Sequence, residues 1–127
     1  MNYDIKNLPE RTNKPRQYGF TMAMDKGLSI REAEDFVSLS AHYVDIVKLG
    51  WGTSFVTPNL KDKIKVYKDA GLPVYFGGTL FEAFVIRDQF DEYRKILDKF
   101  EMTFAEVSDG SMDIDHDKKC DYITKLT

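Results

Sequence analysis

A repeating order of short strand-like runs and helical patterns is the feature of this sequence that most constrains its fold. Runs of strand character, each followed by a loop and then by apolar residues at helical spacing, cover residues 18–24, 43–49, 73–76 and 104–108. Such alternation predicts a parallel sheet with helices packed against it, because parallel strands need a crossover that is usually a helix. Residues 1–17 lack this pattern and are predicted to be an irregular N-terminal lead-in.

Local signals mark where the predicted helices begin and end. Residues 29–32, Ser-Ile-Arg-Glu, have the form of a capping box at the start of the first helix. Thr57 and Pro58 are predicted to be the N-cap and the first residue of the second helix, and Gly71 is placed to end it. One long helical pattern follows the third strand, and residues 115–127 are predicted to begin a fourth helix.

Two architectures place helices against parallel strands, a small doubly wound sheet and a (β/α)8 barrel. Strands of a doubly wound sheet are covered on both sides and are therefore apolar throughout. In the fourth run, however, Glu106 and Ser108 alternate with apolar residues. In the first run the larger apolar side chains share one face, which suits helices: Phe20, Met22 and Met24. The pattern therefore favours an α/β fold of the TIM-barrel type, with four βα units in residues 18–127, over a doubly wound sheet, and most of the support for the barrel comes from the resemblance described below.

Four units do not close a barrel, which typically takes about 250 residues. An open sheet of four strands leaves an apolar inner face and two strand edges unpaired. The chain of 127 residues is therefore expected either to be a fragment of a longer protein or to complete its barrel with a second copy. Thr127 falls inside an apparent helix with no stop signal after it, which favours the fragment.

Composition excludes several classes of function. A net charge of −3 provides no basic field for nucleic acid, and the sequence has no apolar run of membrane-spanning length. The polar first residues lack the apolar stretch of a signal peptide. A single cysteine, Cys120, has no partner for a disulfide or a thiolate metal site. We expect a cytoplasmic protein that binds neither nucleic acid nor membrane.

Polar residues follow the predicted strands, where barrel enzymes carry their chemistry. They are Asp25, Lys26, Lys48, Thr53, Ser54, Thr79, Glu82, Glu106, Ser108 and Asp109. Lys48 points into the barrel mouth if Val47 and Leu49 face the helices. A lysine there either neutralises an anion, acts as a general acid, or extends its ammonium group to solvent from a strand end.

The remaining candidates each have two interpretations. Glu106 is costly in an apolar strand unless it is paired or binds a metal, so it either pairs with Lys48 or holds Mg²⁺ together with Asp109. Asp25 and Lys26 either contact a substrate or only form a turn. Residues 77–79, Gly-Gly-Thr, either turn the chain or hold an anion at the start of the next helix.

Several segments together resemble the phosphosulfolactate synthase family, from about Lys14 to the end of the chain. They are Tyr18-Gly-Phe-Thr-Met, Asp25-Lys-Gly-Leu-Ser, Asp45-Ile-Val-Lys-Leu-Gly-Trp-Gly-Thr, Gly77-Gly-Thr-Leu-Phe-Glu82 and Glu106-Val-Ser-Asp-Gly110. Phe76 stands where the family often has proline. The resemblance implies the N-terminal half of a (β/α)8 barrel.

The resemblance also implies a reaction, the Mg²⁺-dependent addition of sulfite to phosphoenolpyruvate to give (2R)-phospho-3-sulfolactate, which in archaea leads to coenzyme M. It assigns the candidates roles. Lys48 and Glu106 are expected to be catalytic, Glu106 and Asp109 to bind the metal, and the following residues to bind substrate: Asp25, Lys26, Gly78, Thr79 and Ser108. We expect small anionic substrates as partners, with a homo-oligomer or a complementing second half.

The enzymatic hypothesis has one limit, and two alternatives stand beside it. Barrel phosphate sites are often built after the seventh and eighth strands, so this chain is expected to hold only part of the substrate site. A non-catalytic barrel relative, such as a plant heat-stress-associated protein, would keep the fold without the chemistry. A half barrel that dimerises would function only as the assembled pair.

Overall fold

The computed structural model describes residues 3–127, in which three parallel strands and five α-helices follow one another. Within these residues no helix has both the length and the apolar character needed to cross a bilayer. The elements are β1 (Met22–Asp25), α1 (Ile30–Ser40), β2 (Ile46–Leu49), a 3-10 helix (Thr53–Phe55), α2 (Leu60–Asp69), β3 (Val74–Phe76), α3 (Gly78–Val85), α4 (Phe90–Lys99) and α5 (His116–Leu126).

The strands form one parallel sheet in the order β1-β2-β3, so each strand pairs with the next strand along the chain. The register pairs Met24 with Lys48, and Lys48 with Tyr75. The strands end at matching register positions, Asp25, Leu49 and Phe76. The three loops that follow them therefore lie together at the carboxyl ends of the strands. A mixed α/β fold with a parallel sheet, compatible with part of a TIM-type barrel, is thus confirmed.

The predicted fourth strand is not formed, so four complete βα units are not confirmed. Residues 104–108 have no ladder pairing with a strand in the described chain and are irregular. Side-chain contacts hold the segment instead, through Glu106 to Lys48 and through Ser108 to Glu82. An edge segment with one neighbouring strand has few ladder hydrogen bonds to gain, and alternating polar and apolar residues alone do not make it a strand.

The first helix and the end of the second follow their sequence signals. The Ser29 hydroxyl accepts a hydrogen bond from the Glu32 N–H, and the Ser29 N–H donates to the Glu32 carboxylate at 2.8 Å. The capping box is therefore confirmed. Gly71 adopts the predicted left-handed conformation, with φ of 71°.

The start of α2 lies two residues later than predicted. Thr57 does not cap the helix; its hydroxyl donates to the Thr53 carbonyl at 2.8 Å and closes the 3-10 turn that precedes the helix. The N-cap position is taken by Asn59, in the left-handed region with φ of 52°. A local bond of a threonine hydroxyl to a nearby carbonyl competes with capping, which explains why the Thr-Pro signal was wrong here.

The long pattern after β3 is two helices, α3 and α4. Asp88 has φ of 55° and breaks the run between them, and the Gln89 N–H donates to the Phe84 carbonyl at 3.0 Å. Apolar spacing continues across the break because both helices pack on the same core. The ring of Phe81 on α3 lies 5.6 Å from that of Tyr93 on α4, edge to face.

The main core lies between the sheet and its helices. The strand residues on this side are 1% exposed or less: Val47, Leu49, Val74 and Phe76. They pack with Ala33 of α1, Ile64 of α2 and Phe81 of α3. Helix α5 joins this core through Tyr122, whose ring lies 5.5 Å from that of Phe81. Each large apolar side chain buried here contributes about 1.5–3 kcal/mol relative to exposure.

The faces of β1 are the reverse of the prediction. Ala23 packs against the core and Asp25 is buried, whereas Met22 and Met24 are 44% and 36% exposed. Side chains alternate along a strand, so the register opposite Lys48 fixes Met24 on the other face. We call this face, which carries Met22, Met24, Ile46, Lys48 and Tyr75, the inner face.

The lead-in covers the amino ends of the first two strands. The Arg16 guanidinium lies 2.6 Å from the Asp45 carboxylate, which also accepts the Thr21 N–H at 2.8 Å. The Lys14 ammonium donates to the Ala41 carbonyl at 2.7 Å. These contacts attach the irregular segment to the amino ends of the strands. The candidate site described below lies at the opposite, carboxyl ends.

Candidate functional site

The carboxyl ends of the strands open into a cleft of about 220 Å³, which we call the strand-end cleft. It is lined by Met24, Lys48, Trp51, Gly78, Thr79, Glu82, Glu106, Ser108, Gly110 and Ser111. A larger hollow of about 470 Å³ lies beside it, between Phe55 and Phe84, and its surface is mostly apolar. The acid–base groups predicted from the sequence lie in the smaller cleft, which makes it the candidate active site.

Lys48 and Glu106 form an ion pair across this cleft. The Lys48 Nζ lies 2.8 Å from Oε1 and 2.7 Å from Oε2 of Glu106. Val47 and Leu49 face the helices, so Lys48 projects from the inner face as expected, with its side chain 17% exposed. Of the two interpretations of Glu106, pairing with Lys48 is the contact that the structure contains. The pair fixes an ammonium group at a defined place in a partly desolvated site.

Tyr75 stands beside this pair and was not predicted as part of the site. It is the register neighbour of Lys48 on β3. Burial raises the pKa of the Tyr75 hydroxyl, the Glu106 carboxylate adds to the rise, and the Lys48 ammonium opposes it. The phenol is therefore protonated near neutral pH and can act only as a neutral hydrogen-bonding group.

Glu82 on α3 holds the chain that follows Glu106. Its Oε1 accepts a short hydrogen bond from the Ser108 hydroxyl and a second from the Gly110 N–H at 2.8 Å. Burial acts to raise the pKa of Glu82, but hydrogen bonds from Ser108, Ser111 and Gly110 outweigh it and hold the pKa below its usual value. Oε2 is buried and lacks a well-aligned hydrogen-bond partner among residues 3–127; Ser111 approaches the carboxylate without that alignment.

Gly77 and Gly78, at the start of α3, are required for close approach of chain segments. A Cβ on Gly78 would lie 2.2 Å from the Ser108 Cβ and 3.2 Å from Oε1 of Glu106. A Cβ on Gly77 would lie 2.9 Å from the Lys48 Cε. Helix α3 begins at Gly78, so its first turn borders the cleft, and a helix N-terminus favours negatively charged ligands.

Asp25 is not part of the cleft, because the helix side of the sheet buries it. Its carboxylate lies 2.9 Å from the Lys63 ammonium and accepts the Tyr67 hydroxyl at 2.9 Å. It also accepts the N–H groups of Gly27 and Leu28, at 2.7 and 2.8 Å. Burial acts to raise the pKa of Asp25, but Lys63 and these hydrogen bonds lower it overall. The structure thus gives the carboxylate internal partners and no exposure to a substrate in the cleft.

Two further candidates lie outside the cleft. Lys26 borders a separate hollow, together with Ser29 and Thr57. Asp109 pairs with Lys119 of α5 at 2.7 Å, which lowers the pKa of its carboxyl, and it does not line the cleft. Asp109 is thus paired with Lys119, whereas Glu106 is paired with Lys48 in the cleft, and the expected metal pair stays a prediction. Within residues 3–127 no three His, Cys, Asp or Glu side chains are close enough to form a metal site by themselves.

The strand-end cleft combines groups suited to one kind of chemistry. Lys48 can donate a proton or bind an anion, Glu106 orients it, and Ser108 and Thr79 carry hydroxyl groups. The first turn of α3 adds the positive end of a helix dipole. Such an arrangement can deliver a proton to a ligand held in the cleft.

Comparison with known proteins gives one consistent result. The family sequence model described as (2R)-phospho-3-sulfolactate synthase (ComA) matches residues 9–127. A phosphosulfolactate synthase of Bacillus subtilis (strain 168) is 36% identical over 127 residues, which is 100% of this chain and 50% of the relative. A phosphosulfolactate synthase of Methanocaldococcus jannaschii is 45% identical over 100 residues, covering 77% of this chain and 40% of the relative.

A third relative agrees with these two. The phosphosulfolactate synthase of Methanothermobacter thermautotrophicus is 36% identical over 114 residues, which is 88% of this chain and 44% of the relative. The chain therefore spans half or less of the length of the relatives that it matches.

Proposed function

Because the chain belongs to the phosphosulfolactate synthase family, we propose that it contributes the acid–base part of an active site that adds sulfite to phosphoenolpyruvate. The product would be (2R)-phospho-3-sulfolactate. The observation that carries the proposal is the Lys48–Glu106 ion pair at the carboxyl ends of the strands, at 2.7 Å, beside the first turn of α3. Barrel enzymes place their catalytic groups at the carboxyl ends of their strands.

The proposed reaction needs a proton donor and positive charge. The sulfur lone pair of sulfite attacks the methylene carbon of phosphoenolpyruvate and forms the C–S bond. The electrons of the double bond then move to the adjacent carbon and its carboxylate as an enediolate. Lys48 donates a proton to that carbon, and its amine regains a proton from solvent. Glu106 keeps the ammonium oriented toward the cleft.

Neighbouring groups fit the binding of the anions. Gly78 and Thr79 open α3, whose N-terminus favours a phosphate, sulfite or carboxylate group. Ser108 lines the same cleft and holds its hydroxyl toward Glu82. Mg²⁺ is part of the proposal, since a bound dication neutralises charge that builds on a substrate carboxylate. We assign the complete reaction to an assembled barrel in which a second half, or a second copy, supplies the remaining substrate contacts.

The test is the sulfite-dependent consumption of phosphoenolpyruvate in the presence of Mg²⁺, followed by ultraviolet absorbance. We expect Lys48→Ala to lower the rate about 100-fold or more, the usual contribution of a general acid. Lys65→Ala is the matched control, because Lys65 pairs with Asp69 on the exposed face of α2 and should keep the rate. Full activity of Lys48→Ala would contradict the acid role. Absence of sulfite-dependent turnover at any chain concentration would contradict a self-sufficient enzyme.

A further inference from the structure

The charge balance of the strand-end cleft does not suit the proposed substrates. Its charged groups are one ammonium, on Lys48, and two carboxylates, on Glu82 and Glu106, which leave one net negative charge. Sulfite and phosphoenolpyruvate are both anions, and like charges in a partly desolvated cleft repel each other strongly. The described part of the cleft therefore needs a further positive charge before it can hold either anion.

Glu82 supplies a second and independent observation. Glu82 is 5% exposed, and its Oε1 already accepts hydrogen bonds from the Ser108 hydroxyl and the Gly110 N–H. Its Oε2 is buried, has no well-aligned partner within residues 3–127, and belongs to a side chain that lines the cleft. Ser111 lies near this carboxylate but forms no aligned hydrogen bond with it, and a buried carboxylate oxygen without an aligned partner is costly, by about 1–3 kcal/mol, so Oε2 is placed to accept a further ligand.

We propose that a divalent cation binds in the strand-end cleft between Glu82 and Glu106, and not between Glu106 and Asp109. The choice of Glu82 rests on the geometry, and the expected anionic partners rest on the proposed function. Mg²⁺ is commonly bound through one or two protein carboxylates and keeps several waters, so no cluster of three acidic residues is required. A bound dication changes the net charge of the cleft from one negative to one positive.

Both carboxylates can serve this role without losing their present contacts. An ionised carboxylate has about four lone-pair directions, so Glu106 can keep Lys48 and still bind a cation. Glu82 keeps Ser108 and Gly110 on Oε1 while Oε2 is available. Asp109 is not included, because it does not line the cleft.

The test measures cation binding to the chain without sulfite or phosphoenolpyruvate. Mn²⁺ replaces Mg²⁺ as the probe, and the free ion is followed by electron paramagnetic resonance. We expect Glu82→Gln, which keeps an acceptor for Ser108 and Gly110, to weaken Mn²⁺ binding at least 10-fold. Asp109→Asn is expected to change it less than twofold. Wild-type affinity in Glu82→Gln, or a loss confined to Asp109→Asn, would overturn the proposal.

A second measurement needs no variant and covers the case in which Glu82→Gln does not fold. Mn²⁺ bound to the wild-type chain should broaden the amide resonance of Gly78, which lines the cleft, before that of the exposed residue Leu39. Equal broadening, or no saturable binding at millimolar Mn²⁺, would overturn the site. A chain that binds Mn²⁺ in this way but shows no sulfite-dependent turnover would contradict a self-sufficient enzyme and leave the cation site intact.

Discussion

Lys63 is a charged residue of an amphipathic helix, yet the structure buries it completely. It lies within α2, is 0% exposed, and pairs with the buried Asp25 at 2.9 Å. Its ammonium also donates to the Leu28 carbonyl at 2.9 Å. One buried lysine thus joins the second helix to the end of β1 and to the loop after it, behind the candidate site.

We expect Lys63→Met to destabilise the chain by about 3–5 kcal/mol, because it leaves the Asp25 carboxylate buried without its counter-charge. The measurement is the urea midpoint of unfolding. Lys65→Met is the control on the same helix, since Lys65 pairs with Asp69 on the surface, and it should cost less than about 1 kcal/mol. Equal effects of the two substitutions would contradict this account.

The sequence offered the Lys48–Glu106 pair as one of two interpretations and missed the Lys63–Asp25 pair for a physical reason. Lys48 alternates with Val47 and Leu49 in a strand, so its direction follows from the period of two. Lys63 stands at helical spacing with Leu60, Ile64 and Tyr67, on the buried stripe of α2. That position was the available signal. Its partner could not be identified, because the face of Asp25 depends on the register between strands, which the sequence alone does not fix.

Two ion-paired aspartates, Asp25 and Asp45, predict how stability changes with pH. Burial acts to raise the pKa of Asp45, but the Thr21 N–H and the Arg16 guanidinium lower it overall, and the pKa of Asp25 is also lowered. Their folded-state pKa values lie below the ordinary 3.8, so the unfolded chain binds more protons in acid. Their stabilisation is present above about 3.8 and is lost as pH falls through the lowered values.

The measurement is the urea midpoint as a function of pH from neutral down to the acid range. Asp45→Asn removes one of the two titrating groups, so its stability should be lower at neutral pH and should fall less steeply in acid than that of the wild type. Parallel curves for the two proteins would show that Asp45 has the same pKa in the folded and unfolded chains.

At the scale of elements, α3 is positioned by a close approach that only glycine allows. In Gly78→Ala the new methyl group would lie 2.2 Å from the Ser108 Cβ, so the segment from Glu106 to Gly110 must move. We expect a loss of about 1–3 kcal/mol in unfolding free energy, the usual cost of overpacking, and a weaker Lys48–Glu106 pair.

Gly110→Ala provides the matched control for that substitution. Its methyl group would lie 3.6 Å from the Ser108 Oγ and 3.7 Å from Oε1 of Glu82, which are ordinary contact distances. It should therefore unfold close to the wild-type urea concentration. If Gly78→Ala were as stable as Gly110→Ala, the tight packing between α3 and the following segment would not be a constraint on the fold.

Elements with strong local signals were predicted best. The capping box at Ser29 and the turn at Gly71 are set by residues within one turn of the chain, so their bonds follow from the local sequence. The break at Asp88 was missed because apolar spacing continues across it. The strand predicted at residues 104–108 depended on a partner strand, and partners are set by the whole fold.

At the scale of the molecule, the inner face of the sheet leaves apolar side chains exposed to solvent. On this face Met22 is 44% exposed and Met24 is 36% exposed. The edge strands of the described sheet are β1 and β3, and both are short. Exposed apolar surface beside unpaired strand edges indicates a surface that another chain or segment covers. We therefore expect the isolated chain to self-associate through this face.

Sedimentation over a range of chain concentrations tests that expectation, with a rising average mass as the expected result. Met22→Glu places a charge on the inner face and should weaken association at least 10-fold, because burying an unpaired carboxylate is unfavourable. Leu39→Glu is the control, since Leu39 is 73% exposed on α1, and it should leave association unchanged. A chain that stays monomeric at all concentrations would contradict pairing of two copies, and the sheet would then need a different chain to cover it.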